Sequence, residues 1–210
     1  VGSNLHSIKI PKSVVSLRGN PYVFFDHFDG IDFSENPNFL FMDDVLFDRD
    51  ITQVICCKPS KKGSYTIPST VVFICNDAFK RCQSLVSVTI PDSVVSIGDH
   101  AFEGCVCLEH VSIPNSMITI GEDAFAGCNH LVSIKIPESV TAIRDRAFYN
   151  CCTFESIVIP HSVKSIGKHA FRACFQLTSV TIPGSIETLG KNVFKKCTAL
   201  AELKINGDSQ

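Results

Sequence analysis

Cysteine has the most reactive side chain in this sequence, and the chain contains eleven cysteines. Free cysteine packs as a small hydrophobe, and an odd total leaves at least one thiol unpaired within a monomer. We therefore predict a buried ladder of reduced thiols, in preference to disulfides or metal ligands, at the six cysteines that recur every 23 residues. These are Cys82, Cys105, Cys128, Cys151, Cys174 and Cys197. The others are Cys56, Cys57, Cys75, Cys107 and Cys152.

The spacing of the other reactive residues indicates neither catalysis nor metal binding. Cys105-x-Cys107 and Cys56-Cys57 lack the C-x₂-C spacing of structural zinc sites, and no second pair completes a set of four ligands. No G-x-S-x-G motif and no glycine-rich phosphate loop occurs. No serine or cysteine is visibly paired with a histidine and an acid. We therefore predict a protein that is not an enzyme and has no cofactor and no metal.

The cysteine interval belongs to an internal repeat that covers most of the chain. Three more residue types recur at the same 23-residue step. The prolines are Pro68, Pro91, Pro114, Pro137, Pro160 and Pro183. The phenylalanines are Phe79, Phe102, Phe125, Phe148, Phe171 and Phe194. A mainly leucine column comprises Leu85, Leu108, Leu131, Phe154, Leu177 and Leu200. Such a period predicts a solenoid, in which stacked copies bury the apolar face that one copy cannot bury alone.

Each repeat has a part that alternates like a strand and a part with helical spacing. In residues 85–90, Val88 and Ile90 alternate with polar residues, and Pro91 ends the segment. We predict parallel strands that end at Ile90, Ile113, Ile136, Ile159, Ile182 and Ile205. Ile97, Ala101, Phe102 and Cys105 are spaced as the apolar face of a short helix. This pattern predicts strands on one side of the solenoid and short helices or turns on the other.

Two polar columns have alternative interpretations. One column consists of hydroxyl residues, which suit either hydrogen bonds to turn backbone, the interpretation that we favour, or contacts to a ligand. These residues are Ser13, Thr70, Ser93, Ser116, Ser139, Ser162 and Ser185. A second column changes from acidic to basic along the chain, which indicates either ordinary solvation or electrostatic steering of an extended partner. It consists of Asn76, Asp99, Glu122, Asp145, Lys168 and Lys191.

The N-terminal third departs from the repeat. Leu5, Ile8 and Ile10 fit one strand, and Phe28, Ile31 and Phe33 fit the next, with Tyr22 in the phenylalanine column and Phe25 in the cysteine column. From Ser34 to Pro68 the step is 34 residues. Residues 38–47 have two apolar runs around Asp43-Asp44, which predicts a β-hairpin, and residues 51–57 could extend it. Residues 65–67 should re-enter the solenoid as a strand. The insertion could be a spacer, which we favour, or a binding element.

Composition excludes two classes of partner. Hydrophobic residues are 45% of the chain and the formal net charge is −2, so the chain can bury a core and lacks the basic excess of a nucleic-acid-binding protein. No apolar run is long enough to span a membrane. Because the sequence begins at Val1 without an initiator Met or a secretory signal, we expect a processed or excised fragment, whose N-terminus does not reveal its compartment.

The unit L-x-x-V-x-I-P-x-S-V-x-x-I-G-x-x-A-F-x-x-C resembles the BspA-like, or treponemal-type, leucine-rich-repeat family. Residues 131–151 carry it nearly in full, and residues 36–68 resemble the hairpin insert of that family. The resemblance implies an α/β leucine-rich-repeat solenoid of 23-residue units in a surface-associated or secreted protein of a mucosal microbe, often an adhesin. We expect a single domain over residues 1–210, with N-terminal repeats at 1–34, a hairpin insertion at 35–67 and six regular repeats at 68–210.

The strand pattern also predicts a binding surface for a protein partner, such as a host or matrix protein or another surface protein. Side chains that alternate with the core residues should point outward in adjacent rows. They are Ser87, Thr89, His110, Ser112, Ser133, Lys135, Ser156, Val158, Ser179 and Thr181. The insertion around Phe39–Phe47 is the competing site, because it carries more exposed-looking apolar residues. A cell-surface or secreted location follows from the resemblance, whereas many unpaired cysteines suit a cytoplasmic scaffold or a purely structural repeat segment.

Overall fold

A computed structural model describes residues 7–24 and 30–207. Leu5, Phe25 and Phe28, which the sequence places in the first two repeats, lie outside the described residues. In chain order, the strands are β1 (Ser7–Lys9), β2 (Gly30–Asp32), β3 (Phe39–Met42), β4 (Val45–Asp48), β5 (Gln53–Cys57), β6 (Lys62–Thr66), β7 (Phe73–Ile74), β8 (Ser84–Thr89), β9 (Ser96–Ile97), β10 (His110–Ser112), β11 (Thr119–Ile120), β12 (Ala142–Ile143), β13 (Ser156–Val158), β14 (Ser165–Ile166), β15 (Ser179–Pro183), β16 (Thr188–Leu189) and β17 (Glu202–Asn206).

The longer strands of successive repeats lie side by side and pair in parallel, which confirms the predicted solenoid. One sheet has the order β10-β8-β6 and another has the order β13-β15-β17. The register repeats the sequence period, since Val111 pairs with Val88 and Val180 pairs with Ile157. These four side chains are nearly inaccessible to solvent, as inward positions of a half-buried strand should be. We call this side of the solenoid the strand face.

A second set of strands, each of two residues, follows the turn after each proline. Strands β11, β12, β14 and β16 pair in parallel in that order, and β7 and β9 pair in the same way beside β5. Each of these strands except β16 buries its second residue. In β16 the second residue, Leu189, is exposed. The solenoid therefore has sheet structure on two of its sides.

The predicted helices are absent from the described residues, and the assignment to an α/β class was wrong. The helical structure there consists of a four-residue 3₁₀ turn at Pro21–Phe24. In the segments with helical spacing, backbone N–H groups donate to the next repeat. Phe79 donates to Ala101 at 2.7 Å, and Phe102 donates to Ala124 at 2.8 Å. An α-helix would instead direct these groups to the residue four positions earlier.

Left-handed backbone conformations explain why these segments cannot be helices. In one repeat, His100 has a φ of 59° and Gly104 has a φ of 73°, and the same two positions of the other regular repeats also have positive φ. A right-handed helix requires negative φ at every residue. Ile97, Ala101, Phe102 and Cys105 are nevertheless all buried, as the helical pattern required. The burial prediction was thus correct although the secondary structure was not.

The strand predicted to end at Ile136 does not form. Residues 131–137 have no strand assignment, and Ile134 is only partly buried, unlike the equivalent Val111 and Ile157. The Val132 N–H still donates to Glu109 O at 3.3 Å at the start of the segment. The strand face is therefore divided into two sheets of three strands by one repeat without ladder pairing.

The insertion contains the predicted hairpin and one further antiparallel strand. Strands β3 and β4 pair around Asp43 and Asp44, whose φ values of 50° and 64° suit a two-residue turn. Strand β5 pairs antiparallel with β4 and parallel with β7, which joins the insertion to the solenoid. The expectation of exposed apolar groups was wrong for β4, because Val45, Leu46 and Phe47 are fully buried in the core. In β3, the apolar residues after Phe39 are partly exposed. The insertion is part of the solenoid core, and deleting it would remove that core packing.

Two buried asparagines fasten the irregular N-terminal third. The Asn20 side chain is inaccessible and donates to Cys57 O at 3.0 Å and Ala78 O at 3.3 Å, while its Oδ1 accepts the Tyr22 N–H at 3.0 Å. Asn36 makes equivalent bonds within the first two repeats. These amides satisfy backbone groups on separate segments, in addition to the parallel ladder between β1 and β2.

Candidate functional site

The ten side chains predicted to face outward on the strand face are all accessible to solvent. Three are partly exposed and the others are exposed; the partly exposed ones are Ser87, Ser179 and Thr181. Pairing sets them in rows across the sheets, with His110 opposite Ser87 and Val158 opposite Thr181. This arrangement results from parallel pairing at a 23-residue offset, which places the same repeat position on neighbouring strands.

The middle of the strand face is the segment without ladder pairing. Ser133 and Lys135 are exposed there, but they are not held in a sheet. Val132 is 51% exposed and Val158 is 66% exposed, so this region also presents two apolar side chains. The outward position of Val132 was missed in the sequence, because strict alternation assigns the outward direction to its neighbour Ser133. The two sheets therefore flank a less regular, partly apolar centre.

The polar side chains of the strand face are not engaged by the protein itself. Among the described residues, none of the nine polar members of the predicted set makes a side-chain hydrogen bond or an ion pair within the chain. Beyond the set, Glu202 and Lys204 pair with each other at 3.1 Å. Hydrogen-bonding capacity on this face is therefore available to water or to a partner.

The column with changing charge is engaged between repeats. Asn76 Oδ1 accepts the Asp99 N–H at 3.0 Å, and Asp99 Oδ1 accepts the Glu122 N–H at 2.9 Å. Asp145 Oδ1 accepts the Lys168 N–H at 2.8 Å in the same way. These carboxyl and amide oxygens satisfy backbone donors of the next repeat, which is a structural role that neither of the two interpretations included.

The hydroxyl column also bonds to the neighbouring repeat where it has a partner. Thr70 Oγ1 donates to Ile51 O at 2.8 Å, Ser93 Oγ donates to Val71 O at 2.7 Å, and Ser116 Oγ donates to a backbone carbonyl in the same manner. The Ser139 and Ser162 hydroxyls are buried without a partner. Ser185 Oγ donates to His161 O at 2.8 Å. The interpretation as backbone-satisfying groups is therefore supported at the four bonded positions.

A cluster of charges lies on the turn side, around the left-handed residues. Arg146 binds Asp123 through Nε and Nη2 at 2.9 and 2.6 Å and reaches Glu122 Oε1 at 2.8 Å. His100 Nδ1 lies 2.8 Å from Glu103 and 3.6 Å from Asp123. Hydrogen bonds to Asp123 raise the pKa of Arg146 above its usual value. The Arg146 and His100 contacts to Asp123 each span two repeats, so the cluster ties repeats together.

The recurring thiols form the predicted ladder, with a polar contact in each step. Five of these Sγ atoms donate to the carbonyl of the phenylalanine 26 residues earlier, as Cys128 does to Phe102 O at 3.2 Å. The sixth, Cys82 Sγ, donates to Lys58 O at 3.5 Å. Burial raises the pKa of Cys128 far above that of a free thiol. Cys197 is the exception, because it is only partly buried and a hydrogen bond from Cys174 lowers its pKa.

We expect thiol labelling of the native protein to follow this difference. Cys128 should stay unreacted until the chain is denatured, because the thiolate is the reactive form and burial opposes it. Partly exposed Cys107 and Cys197 should react in the native state. Peptide mapping by mass spectrometry after timed alkylation measures both rates. Rapid native labelling of Cys128 would contradict a buried ladder.

In the part of the chain that the structure describes, no cluster of three or more histidine, cysteine, aspartate or glutamate side chains is arranged to hold a metal ion. None of the described residues forms a helix of the length and hydropathy required to cross a membrane.

Solved structures with similar folds include bacterial leucine-rich-repeat proteins. A leucine-rich cell surface protein from Faecalibacterium prausnitzii is 28% identical, with a TM-score of 0.69 over 99% of this chain and 50% of that protein. A leucine-rich-repeat protein from T. pallidum is 32% identical, with a TM-score of 0.62 over 72% of this chain and 78% of that one. The pneumococcal vaccine antigen PcpA is 26% identical, with a TM-score of 0.61 over 99% of this chain and 46% of that protein.

The parallel ladders and the 23-residue register define a solenoid of leucine-rich repeats. The model of the BspA-type leucine-rich-repeat region matches residues 49–153 and 96–210, with six copies. The chain belongs to this family. It spans about half the length of the F. prausnitzii and pneumococcal proteins. No curated protein matches the sequence.

Proposed function

We propose that this chain is a non-enzymatic protein-binding module, displayed at or secreted from a microbial cell surface, and that its strand face contacts the partner. The observation that carries the proposal is the contrast in side-chain bonding between the turn side and the strand face of the solenoid. On the turn side, polar groups such as Asp99, Asp145 and Arg146 bind neighbouring repeats. On the strand face, nine polar side chains are left without bonds among the described residues.

The family and the surface proteins with similar structures support a role in recognition. The F. prausnitzii protein is described as a cell surface protein, and PcpA is described as a vaccine antigen. The solenoid presents its outward side chains in parallel rows, which suits a flat or extended protein partner. A protein partner at the surface is therefore the function that best fits both the geometry and the relatives.

The chemistry of the strand face predicts modest affinity for each copy. Most of its side chains are small and polar, and Trp is absent from the whole sequence, so the usual hot-spot residues are lacking. Val132 and Val158 supply the exposed apolar area near its centre. Many modest contacts with bridging water would hold a partner, and display in several copies would raise the apparent affinity.

Reversing charge at the strand face should weaken binding. Immobilised extracellular-matrix and serum proteins can be screened with the chain displayed as a tetramer, which compensates for weak single contacts. For a partner found in this way, we expect His110→Glu combined with Lys135→Glu to lower affinity by about tenfold, because both side chains are exposed in the outward rows. Surface plasmon resonance of the folded variants measures the change.

The matched control uses the same residue types on another side of the solenoid. His161→Glu combined with Lys164→Glu makes the same charge change in the turn that precedes β14, where both residues are exposed. This control should bind within about twofold of the unmodified chain, as changes outside an interface usually do. Equal losses in both pairs, or no loss in the first pair, would remove the strand face as the binding surface.

An intracellular scaffold is the second candidate, and the eleven free thiols favour it. Free thiols persist in reducing compartments, whereas oxidising surroundings favour disulfides. Locating the protein in intact cells with an antibody, with and without permeabilisation, separates the two candidates. Staining that requires permeabilisation would support the scaffold.

A further inference from the structure

A cavity of about 610 Å³ opens beside the insertion, between two strands that each have only one neighbour among the described residues. Strand β2 pairs with β1, and strand β3 pairs with β4. The apolar part of the lining is Ile31, Phe33, Phe39, Leu40 and Phe41. None of the outward side chains of the strand face lines this cavity, so a ligand bound in it would leave the strand face free.

The edge of β3 that faces away from β4 has no strand partner among the described residues. The two-residue turn makes Met42 and Val45 the first hydrogen-bonded pair of the hairpin, so the next bonded pair is Leu40 and Phe47. The N–H and C=O groups of Phe39 and Phe41 then point away from β4. Among the described residues these N–H groups make no other backbone hydrogen bond. Such an edge is a template for an added strand.

The rings of Phe33, Phe39 and Phe41 form an aromatic floor beside this edge, and they already pack against one another. Phe33 packs edge-on against Phe39 with ring centroids 5.7 Å apart, and it stacks on Phe41 at 6.5 Å. Phe33 and Phe39 are buried, whereas Phe41 is partly exposed. A strand laid along β3 would place alternate side chains over these rings, so apolar residues at every second position would bury further aromatic surface.

The charges around the cavity favour an acidic partner. Of the two acids that line it, Glu35 pairs with Lys9 at 2.6 Å. Asp32 accepts the Ser34 N–H at 2.8 Å, and this bonding lowers the pKa of Asp32, so the carboxylate keeps its charge. Arg49 also lines the cavity, is exposed, and forms no ion pair with any described residue. Lys58 adds a second positive charge, with Nζ 5.0 Å from the centre of the Phe41 ring.

We propose that β3 and this cavity bind an extended peptide segment by strand addition, and that the segment alternates apolar with acidic residues. Main-chain bonds to Phe39 and Phe41 hold the segment against the edge, and the apolar side chains cover the aromatic floor. The acidic side chains meet Arg49 and Lys58. The affinity arises from the backbone bonds, and the selectivity arises from the alternation and the charge.

The probe is a fluorescein-labelled peptide of about eight residues, which is a common strand length. In this peptide, valine and phenylalanine alternate with glutamate. We expect saturable binding by fluorescence anisotropy to the full chain. The same peptide with lysine in place of glutamate should bind about tenfold more weakly, because it would oppose Arg49 and Lys58. Arg49→Glu should lower the affinity of the glutamate peptide to a similar degree.

Peptide N-methylation distinguishes strand addition from nonspecific adhesion. Methylating alternate backbone nitrogens removes the donors on one edge of the peptide, and methylating the other set removes those on the opposite edge. One set should weaken binding by about tenfold while the other has little effect. Equal effects of both sets, or no binding of the glutamate peptide at millimolar concentration, would overturn the proposal.

Two controls keep this test separate from the test of the strand face. Arg18→Glu makes the same charge change at an exposed arginine that does not line the cavity, and it should leave peptide binding unchanged. The pair His110→Glu with Lys135→Glu should also leave it unchanged. If that pair abolishes peptide binding and Arg49→Glu does not, the peptide binds the strand face and the cavity proposal is wrong.

Discussion

Replacing Phe125 with alanine is expected to lower the free energy of unfolding by about 3–5 kcal/mol, as truncation of a buried phenylalanine does. Phe125 is 1% exposed and stands in the middle of a stack of rings that continues through the regular repeats. Its centroid lies 5.3 Å from Phe102 and 5.5 Å from Phe148, in nearly parallel planes. The substitution therefore removes contacts to two neighbouring repeats together with the buried area of one ring.

Urea denaturation monitored by circular dichroism measures this loss. Because each repeat is stabilised by its neighbours, hydrogen exchange should also accelerate in the two adjacent repeats. Phe175→Ala is the matched control, since this ring is 42% exposed and lies in a turn outside the stack. It should cost less than about 1 kcal/mol. A similarly small cost for Phe125→Ala would show that the phenylalanine column is not part of the core.

Replacing Asn20 with alanine is expected to cost about 2–4 kcal/mol, because buried backbone groups left without partners carry a penalty of about 1–3 kcal/mol each. The Cys57 carbonyl and the Tyr22 N–H would each lose the Asn20 side chain. The Ala78 carbonyl would lose its 3.3 Å bond from Asn20 but keep the bond from the Cys57 N–H at 2.6 Å. The effect should be concentrated in the N-terminal third and the insertion, where the amide joins segments that are far apart in the sequence.

Thermal unfolding and hydrogen exchange of the Asn20→Ala variant measure the loss and its location. Asn115→Ala is the control, because Asn115 is exposed in a turn of a regular repeat. It should change stability by less than about 0.5 kcal/mol. If both variants unfold alike, the Asn20 hydrogen bonds do not fasten the N-terminal repeats.

The repeat made burial predictable but left the secondary structure of the turn side undetermined. A spacing such as Ala101, Phe102 and Cys105 fits a helix, and it fits equally a stacked turn that bonds to the next repeat. What decides between them is positive φ at positions such as His100 and Asp123, which are not glycine and carry no clear sequence signal. Gly104 and Gly127 in the second left-handed column were the available indication against a helix.

Outward positions of the strand face followed from alternation with a period of two, since that period depends only on local backbone geometry. The break in pairing at residues 131–137 could not be predicted, because its sequence keeps the full repeat pattern. The cavity beside β3 could not be predicted either. It brings Phe33, Phe41 and Arg49 together through the packing of an insertion that has no counterpart in the regular repeats.

The central claim, that the strand face contacts the partner, is tested most directly by site-specific photocrosslinking. A benzophenone amino acid can replace Ser133 on the strand face, Lys164 in the turn before β14, or Arg49 beside the cavity, all of which are exposed. Irradiation of each variant with a partner from the binding screen, followed by mass spectrometry, identifies the face in contact. We expect crosslinks from position 133 and none from position 164. Crosslinks from position 164 or 49, with none from position 133, would contradict the claim.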